Sequence, residues 1–235
     1  MQSIQMKTIG LLGGMSWESS AVYYQLINQK VKEILGGTHS ARSLMYSVEF
    51  HEIEQLQHAG DWKKLTELMI QAAKQIENGG ADFLVICTNT MHKMFPEMEA
   101  ALSIPILHIA DAAAEKIKEK KLKKIALLGT NFTMTHDFYK GRLTDKHSLE
   151  VIVPNESDRK IVHDIIYQEL ILGIVRDESR KEYVEIIKKL QQQGAEGVLL
   201  GCTEIPLLIQ QEDSPIPVFD TTKIHAEKAV EYALS

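Results

Sequence analysis

The most informative part of the chain is residues 80–92, which read Gly-Ala-Asp-Phe-Leu-Val-Ile-Cys-Thr-Asn-Thr-Met-His. An apolar run from Phe83 to Cys87 follows the turn-forming pair Gly79-Gly80 and precedes a polar cluster. This pattern is typical of a strand that is buried on both faces and whose carboxyl end opens into a polar loop. We expect a helix from about Met91 to Leu102 after this loop.

The same pattern occurs a second time at residues 194–206, Gly-Ala-Glu-Gly-Val-Leu-Leu-Gly-Cys-Thr-Glu-Ile-Pro. A gap-free alignment of the two copies places Cys202 opposite Thr88 and Gly201 opposite Cys87. Other segments repeat in the same order and at nearly the same spacing: 8–14 with 124–130, 104–107 with 216–219, and 114–116 with 226–228. The sequence therefore predicts an internal duplication, that is, two similar α/β halves.

Strands alternate with helices in both halves, which predicts mainly parallel sheets with right-handed crossovers. We predict an α/β protein with two pseudo-symmetric Rossmann-like domains, each built on a four-stranded sheet. The first domain comprises residues 1–115 and 220–235, so that the C-terminal helix completes it, and the second comprises 116–219. Because ligands bind beyond the carboxyl ends of parallel strands, the predicted active site is a cleft between the two halves.

Composition and charge exclude several classes of protein. The formal net charge is −6, and no basic block offers a surface for nucleic acid or for an anionic membrane. No segment approaches the roughly eighteen apolar residues of a membrane span, and residues 1–7 lack the apolar core of a signal peptide. The two cysteines are far apart, and none of the nine histidines has metal-ligand spacing, so we expect neither a disulfide nor a zinc site. These features predict a cytoplasmic protein that binds neither nucleic acid nor a membrane.

Side chains suited to a reaction follow the predicted strands. A cysteine between a strand and a helix N-terminus is expected to have a lowered pKa, because the helix dipole and donated N–H groups favour the thiolate. Two such groups on opposite sides of a bound carbon can remove a proton from one face and return one to the other. This two-base racemisation needs no metal or organic cofactor when the site also stabilises the carbanion. The strand-end candidates are Met15, Ser16, Ser47, Thr88, Asn89, Thr90, Thr130, Cys202, Thr203 and Glu204.

Four motifs together carry a family resemblance: residues 9–16, 89–92, 201–204 and 216–217. With them the chain resembles the cofactor-independent aspartate/glutamate racemases, especially the L-aspartate/L-glutamate-specific and broad-specificity amino-acid racemases. The resemblance covers nearly the whole chain. It implies an amino-acid substrate, no pyridoxal phosphate, an active site between two pseudo-symmetric domains, and a homodimer. With Glu204 after Cys202 and Thr203, the chain resembles the aspartate racemases, whereas the bacterial glutamate racemases have a similar motif with His in that place.

The chain departs from the family at the first catalytic motif, which is usually Cys-Asn-Thr. Here Thr88 precedes Asn89-Thr90, and the cysteine lies one residue earlier, at Cys87. Neighbouring residues in a strand point to opposite faces, so Cys87 should face away from the site. We predict that Thr88 and Cys202 flank the substrate and that Cys87 is structural. A hydroxyl is a weaker base than a thiolate, and the branch with this pair is associated with L-Asp and L-Glu.

Further residues are implied to bind the substrate. Asn89, Thr90 and Thr203 would donate to its carboxylates. Arg159 and Lys160 both lie where the family places a substrate-binding lysine, and both are kept as candidates. Residues 48–54, which include the candidate Glu52, are acidic where aspartate racemases carry an arginine for the distal carboxylate, which leaves room for neutral or basic amino acids.

Plainer interpretations stand beside these roles. Thr88 can cap the next helix, Arg159 and Lys160 can form a solvated face, and Met15 can be a packing residue. His92 can orient the Cys202 thiol or close a helix N-terminus, and we expect the latter. The same scaffold also resembles maleate isomerases, hydantoin racemases and arylmalonate decarboxylases. A protein that binds an amino acid without catalysis is the alternative outside the enzymes.

Overall fold

The computed structural model describes residues 5–235, which form two compact units. The first unit is the described part of Met1–His108 together with His225–Ser235, and the second is Ile109–Ile224. No helix within the described chain combines the length and apolar character that crossing a bilayer requires.

Each unit contains one parallel four-stranded sheet. The strands are β1 (Ile9–Gly13), β2 (Ser43–Ser47), β3 (Phe83–Ile86), β4 (Ile106–Leu107), β5 (Lys124–Gly129), β6 (Glu150–Ile152), β7 (Gly197–Gly201) and β8 (Val218–Asp220). The strand order is β2-β1-β3-β4 in the first unit and β6-β5-β7-β8 in the second, so every strand has a counterpart at the same place. The predicted duplication and α/β class are confirmed.

Helices connect the strands. They are α1 (Trp17–Leu35), α2 (Phe50–Ala59), α3 (Trp62–Asn78), α4 (Phe95–Ala101), α5 (Ile109–Glu119), α6 (Asn131–Thr135), α7 (Asp137–Gly141), α8 (Glu156–Gln168), α9 (Asp177–Gln192) and α10 (Thr221–Ala233). The helix predicted from Met91 to Leu102 is instead a 3₁₀ turn, Thr90–Met94, followed by α4. Pro96 explains the division, because a proline lacks the N–H for a helical bond to residue 92 and its ring clashes with that carbonyl.

The boundary between the units differs from the predicted one at α5. The structure places the boundaries after His108 and Ile224, whereas the sequence predicts them after residues 115 and 219. The reason is the apolar face of α5, where Ile109 and Ile117 pack in one buried cluster with Leu127 of β5. Because this apolar face packs against β5, the whole helix belongs to the second unit.

The central strands are buried on both faces, as the apolar runs predict. Every residue of β3 and of β7 is buried. On one face of the first sheet lie α1 and α10, which contribute Tyr23, Ile27 and Ala229 to a core cluster. On the other face lies α3, which contributes Leu65 and Met69.

His225 lies at the centre of a buried hydrogen-bonded group in the first unit. The hydroxyl of Tyr23 donates to His225 Nδ1 at 2.9 Å, and His225 Nε2 donates to the Leu107 carbonyl at 2.9 Å. Because a carbonyl only accepts, Nε2 carries the hydrogen and Nδ1 is the acceptor. Burial lowers the pKa of His225 from its ordinary 6.5 to about 4.

We predict that the first unit loses stability as the pH falls from 6.5 towards 4. The unfolded chain binds a proton at His225 near pH 6.5, and the folded chain binds it only near pH 4. The contribution of His225 to the free energy of unfolding is therefore fully present above pH 6.5 and falls by about 3 kcal/mol across this window. Urea midpoints at pH 7 and 4.5 measure the fall. His225→Gln should reduce it, exposed His39→Gln should not, and an unchanged fall in His225→Gln would contradict the assignment.

Candidate active site

In each unit the parallel strands carry the predicted site residues to the carboxyl edge of the sheet. In the first unit Met15 and Ser16 follow β1, Ser47 ends β2, and Thr88, Asn89 and Thr90 follow β3. In the second unit Thr130 follows β5, Arg159 and Lys160 lie on α8 after β6, and Cys202, Thr203 and Glu204 follow β7.

Cys202 is in direct contact with a carboxylate. It follows β7 and is 9% exposed. Its thiol donates to Glu204 Oε2 at 3.0 Å, and the Thr203 hydroxyl donates to the same oxygen at 2.6 Å. Glu204 is therefore positioned to accept the thiol proton, and Thr203 orients the accepting oxygen.

The predicted lowering of the Cys202 pKa is wrong. The pKa of this thiol is raised well above its ordinary value, first by burial and then by the charge of Glu204. The backbone N–H groups of Glu204 and Thr203 favour the thiolate, but they do not offset burial and the carboxylate charge. A 3₁₀ turn of only three residues, Ile205–Leu207, follows the cysteine, so there is no helix dipole of useful length. Cys202 is thus a thiol that needs a proton acceptor.

The two faces of β3 separate Thr88 from Cys87. The cluster beside α1 and α10 contains Phe83, Val85 and Cys87, and the cluster beside α3 contains Leu84 and Ile86. Cys87 is completely buried, and burial raises the pKa of its thiol. By the alternation of side chains, Thr88 falls on the face of Leu84 and Ile86. Thr88 itself is half-buried.

Strand β7 shows the same division of faces. Leu199 packs in one cluster of the second unit, and Val198, Leu200 and Cys202 pack in the other. The face that ends in Cys202 therefore corresponds to the face of β3 on which Thr88 falls. The structure supports the alignment of Thr88 with Cys202 that the duplication predicts.

The remaining candidates of the first unit differ in surroundings. Met15 is buried in the core cluster beside α3, in line with its interpretation as a packing residue, and Ser16 caps α1 by accepting from the Ser19 N–H. Asn89 and Thr90 are buried. Ser47 and Glu52 line the same shallow pocket of about 270 Å³, in which Glu49 also lies. This pocket is acidic.

In the second unit an open pocket of about 860 Å³ adjoins α8 and brings Arg159 and Lys160 together. Lys160 is 74% exposed and is paired with Asp164. Arg159 donates Nη1 to the Pro154 carbonyl at 3.1 Å, whereas its Nε is buried and has no hydrogen-bond partner among the described residues. Arg159 thus retains hydrogen-bonding capacity toward an anion, and Lys160 is already partnered. Thr130 caps α6 with its hydroxyl.

Some residues of this pocket were not predicted from the sequence. Asn131, Asn155 and His163 also line it. Asn131 directly follows Thr130 at a strand end, and His163 lies one turn after Arg159 on α8. Their spacing from these two candidates is the sequence signal that could have identified them. His92 is a correction: its Nδ1 donates to the Thr88 carbonyl at 2.9 Å, so the ring faces an acceptor and does not close a helix N-terminus.

Comparison with known proteins places these features in one family. The sequence profile described as Asp/Glu/Hydantoin racemase matches residues 12–229. The chain is 22% identical over 234 residues to the broad specificity amino-acid racemase RacX of Bacillus subtilis (strain 168), covering 94% of this chain and 96% of RacX.

Two crystal structures resemble the whole chain. A candidate Asp/Glu racemase from Yersinia pestis is 55% identical with a TM-score of 0.93, and the match covers 98% of this chain and 100% of that one. An aspartate racemase homologue from Pyrococcus horikoshii OT3 is 36% identical with a TM-score of 0.85, again over 98% and 100% of the two chains.

Proposed function

This chain belongs to the Asp/Glu/hydantoin racemase family, and we propose that it interconverts L- and D-amino acids by removing and returning the Cα proton. Cys202 acts on one face of the substrate and Thr88 on the other. The observation that carries the proposal is the contact of the Cys202 thiol with Glu204 at 3.0 Å. This contact lies just after β7, the strand that corresponds to β3 before Thr88.

Glu204 makes the buried thiol usable as a base. Its charge raises the thiol pKa, so the pair favours a single negative charge, on oxygen or on sulfur. When Glu204 takes the thiol proton, its charge disappears and no longer opposes the thiolate.

The proton balance of one turnover from the L-enantiomer follows from these groups. Glu204 takes the Cys202 proton, the thiolate takes the Cα proton, and the Thr88 hydroxyl delivers a proton to the opposite face. Glu204 then holds an extra proton, and the Thr88 oxygen lacks one. Solvent water carries a proton between them and restores the starting state. Because a hydroxyl is a poor base, proton transfer on the Thr88 face is the slower of the two, and Cα proton exchange with solvent is therefore slower from the D-enantiomer than from the L-enantiomer. The two enantiomers have equal free energy, so kcat/KM for racemisation is the same in both directions.

Acidic amino acids are the proposed substrates, chiefly L-Asp and L-Glu. Arg159 supports this choice, because a half-buried guanidinium without an ion pair among the described residues suits a carboxylate. The acidic pocket with Glu49 and Glu52 in the first unit supports neutral or basic side chains instead. Lys and Ser therefore belong on the substrate panel.

We predict that Arg159 contributes more to substrate binding than Lys160 does. Arg159→Met should raise the KM for the acidic amino acid by about 10- to 100-fold, because a charge-assisted hydrogen bond is lost. Lys160→Met should change it by no more than about threefold, since exposed ion pairs contribute little. Steady-state kinetics on the two matched variants measure this, and a larger effect at Lys160 would reverse the assignment.

Exchange of the Cα proton with deuterated solvent tests the proposed function. Proton NMR over a panel of L- and D-amino acids should show exchange, fastest from L-Asp or L-Glu. A thermal shift with an amino acid but no exchange would indicate a binding protein. Exchange from none of the panel would favour a related isomerase or decarboxylase. The implied homodimer stays a prediction, and a molar mass in solution near 26.5 kDa would contradict it.

A further inference from the structure

A group of three imidazoles lies buried in the first unit and takes no part in the proton transfers. His92, His108 and His225 are all nearly inaccessible to solvent. The ring centroids of His92 and His108 are 4.5 Å apart, and those of His92 and His225 are 5.9 Å apart. We propose that His92 is a positioning residue that holds the main chain of Thr88, and so controls the proton transfers made by the Thr88 hydroxyl. This inference rests on the proposed function.

Side chains hold the backbone where β3 ends. The strand stops at Ile86, and two successive carbonyls beyond it each accept a hydrogen bond from a side chain. The Ser19 hydroxyl donates to the Cys87 carbonyl at 3.0 Å, and His92 Nδ1 donates to the Thr88 carbonyl at 2.9 Å. Because a carbonyl only accepts, Nδ1 of His92 carries the hydrogen. These bonds fix the segment that presents Thr88.

The His92 ring has little freedom to move. It is 1% exposed and packs against the rings of His108 and His225. His225 is in turn fixed at both nitrogens, by the Tyr23 hydroxyl and the Leu107 carbonyl. A residue locked in this way can define the position of a neighbouring backbone group within a fraction of an ångström.

The duplicated unit provides an internal comparison. The position that aligns with His92 is Pro206, which has no donor to offer a carbonyl. There, the supporting side chain is Glu204, and it contacts the Cys202 sulfur directly. The Cys202 thiol thus has a proton acceptor in contact with it, whereas for Thr88 the side-chain contact is to its main-chain carbonyl. Thr88 is the weaker base of the pair, so it depends more on exact placement against the substrate carbon.

Two substitutions of equal size separate positioning from simple packing. In His92→Asn the side-chain amide nitrogen occupies the place of Nδ1 and can still donate to the Thr88 carbonyl. His92→Leu has the same size but no donor. The readout is the initial rate of Cα proton exchange, measured separately from the L- and D-enantiomers of the best substrate. Exchange from L uses Cys202 and exchange from D uses Thr88.

We expect His92→Leu to lower kcat for exchange from the D-enantiomer by about tenfold or more, while exchange from L changes by no more than about twofold. His92→Asn should restore most of the D-side rate. If His92→Leu does not fold, His92→Gln replaces it, because its amide nitrogen lies at the Nε2 position and does not reach the carbonyl. Equal losses from both enantiomers, or no loss from either, would overturn the inference alone. No exchange in the wild-type protein would overturn the proposed function as well.

Discussion

Cys202→Ser should lower the rate of Cα proton exchange from L-Asp or L-Glu by about a thousandfold or more. A serine hydroxyl is a far weaker acid than a thiol, so Glu204 cannot generate an effective base from it. The variant should fold normally, because the hydroxyl is nearly isosteric and can still donate to Glu204 Oε2, as the thiol does. The measurement is exchange by proton NMR in deuterated buffer, with folding checked by circular dichroism.

Cys87→Ala is the matched control for this result. Cys87 is completely buried in the core beside α1 and α10, and burial raises its thiol pKa, so it is an inert packing residue. Its replacement should cost roughly 1 kcal/mol of stability and leave most of the activity. An inactive Cys87→Ala with an active Cys202→Ser would show that the wrong strand face was assigned to the site.

The fold could be predicted from the sequence because both strong signals are local. The apolar run ending at Cys87 and its copy ending at Gly201 are typical of strands that are buried on both faces. The other repeated segments lie at nearly the same distances from each run, which predicts the same strand order in the two halves. The same repeat assigns Thr88 to the strand face that corresponds to the face of Cys202. This assignment follows because side chains along a strand alternate between its two faces, so a shift by one residue would place Cys87 on that face instead.

The chemistry of the site could not be predicted in the same way. Whether the Cys202 pKa rises or falls depends on how deeply the sulfur is buried and on where the Glu204 carboxylate turns, and neither is encoded in spacing. The short turn after Cys202 removes the helix dipole on which the expectation relied. The role of His92 likewise depends on which atom its ring reaches, and a histidine beside a strand end is equally compatible with a cap.

Thr88→Cys should raise the rate of Cα proton exchange from the D-enantiomer by about tenfold to a hundredfold. A thiol loses its proton more readily than a hydroxyl, so the face served by Thr88 would gain a stronger base. Exchange from the L-enantiomer should change little, since Cys202 and Glu204 remain intact. Thr88 is half-buried, which leaves room for sulfur in place of the hydroxyl and methyl groups. Initial exchange rates from the two enantiomers give the comparison directly.

Thr88→Val is the control that distinguishes this role from a structural one. Valine keeps the shape of threonine without its hydroxyl, so exchange from the D-enantiomer should fall by about a hundredfold while exchange from L persists. Capping does not explain such a loss, because Asn89 and not Thr88 occupies the N-cap position of the turn Thr90–Met94. If Thr88→Val and Thr88→Cys both leave the ratio of L to D exchange unchanged, another group serves that face. The ratio of L to D exchange should rise in Thr88→Val and fall in Thr88→Cys. Opposite changes of this kind would identify the side chain at position 88 as the second base, because valine cannot carry a proton and cysteine gives it up more readily than threonine.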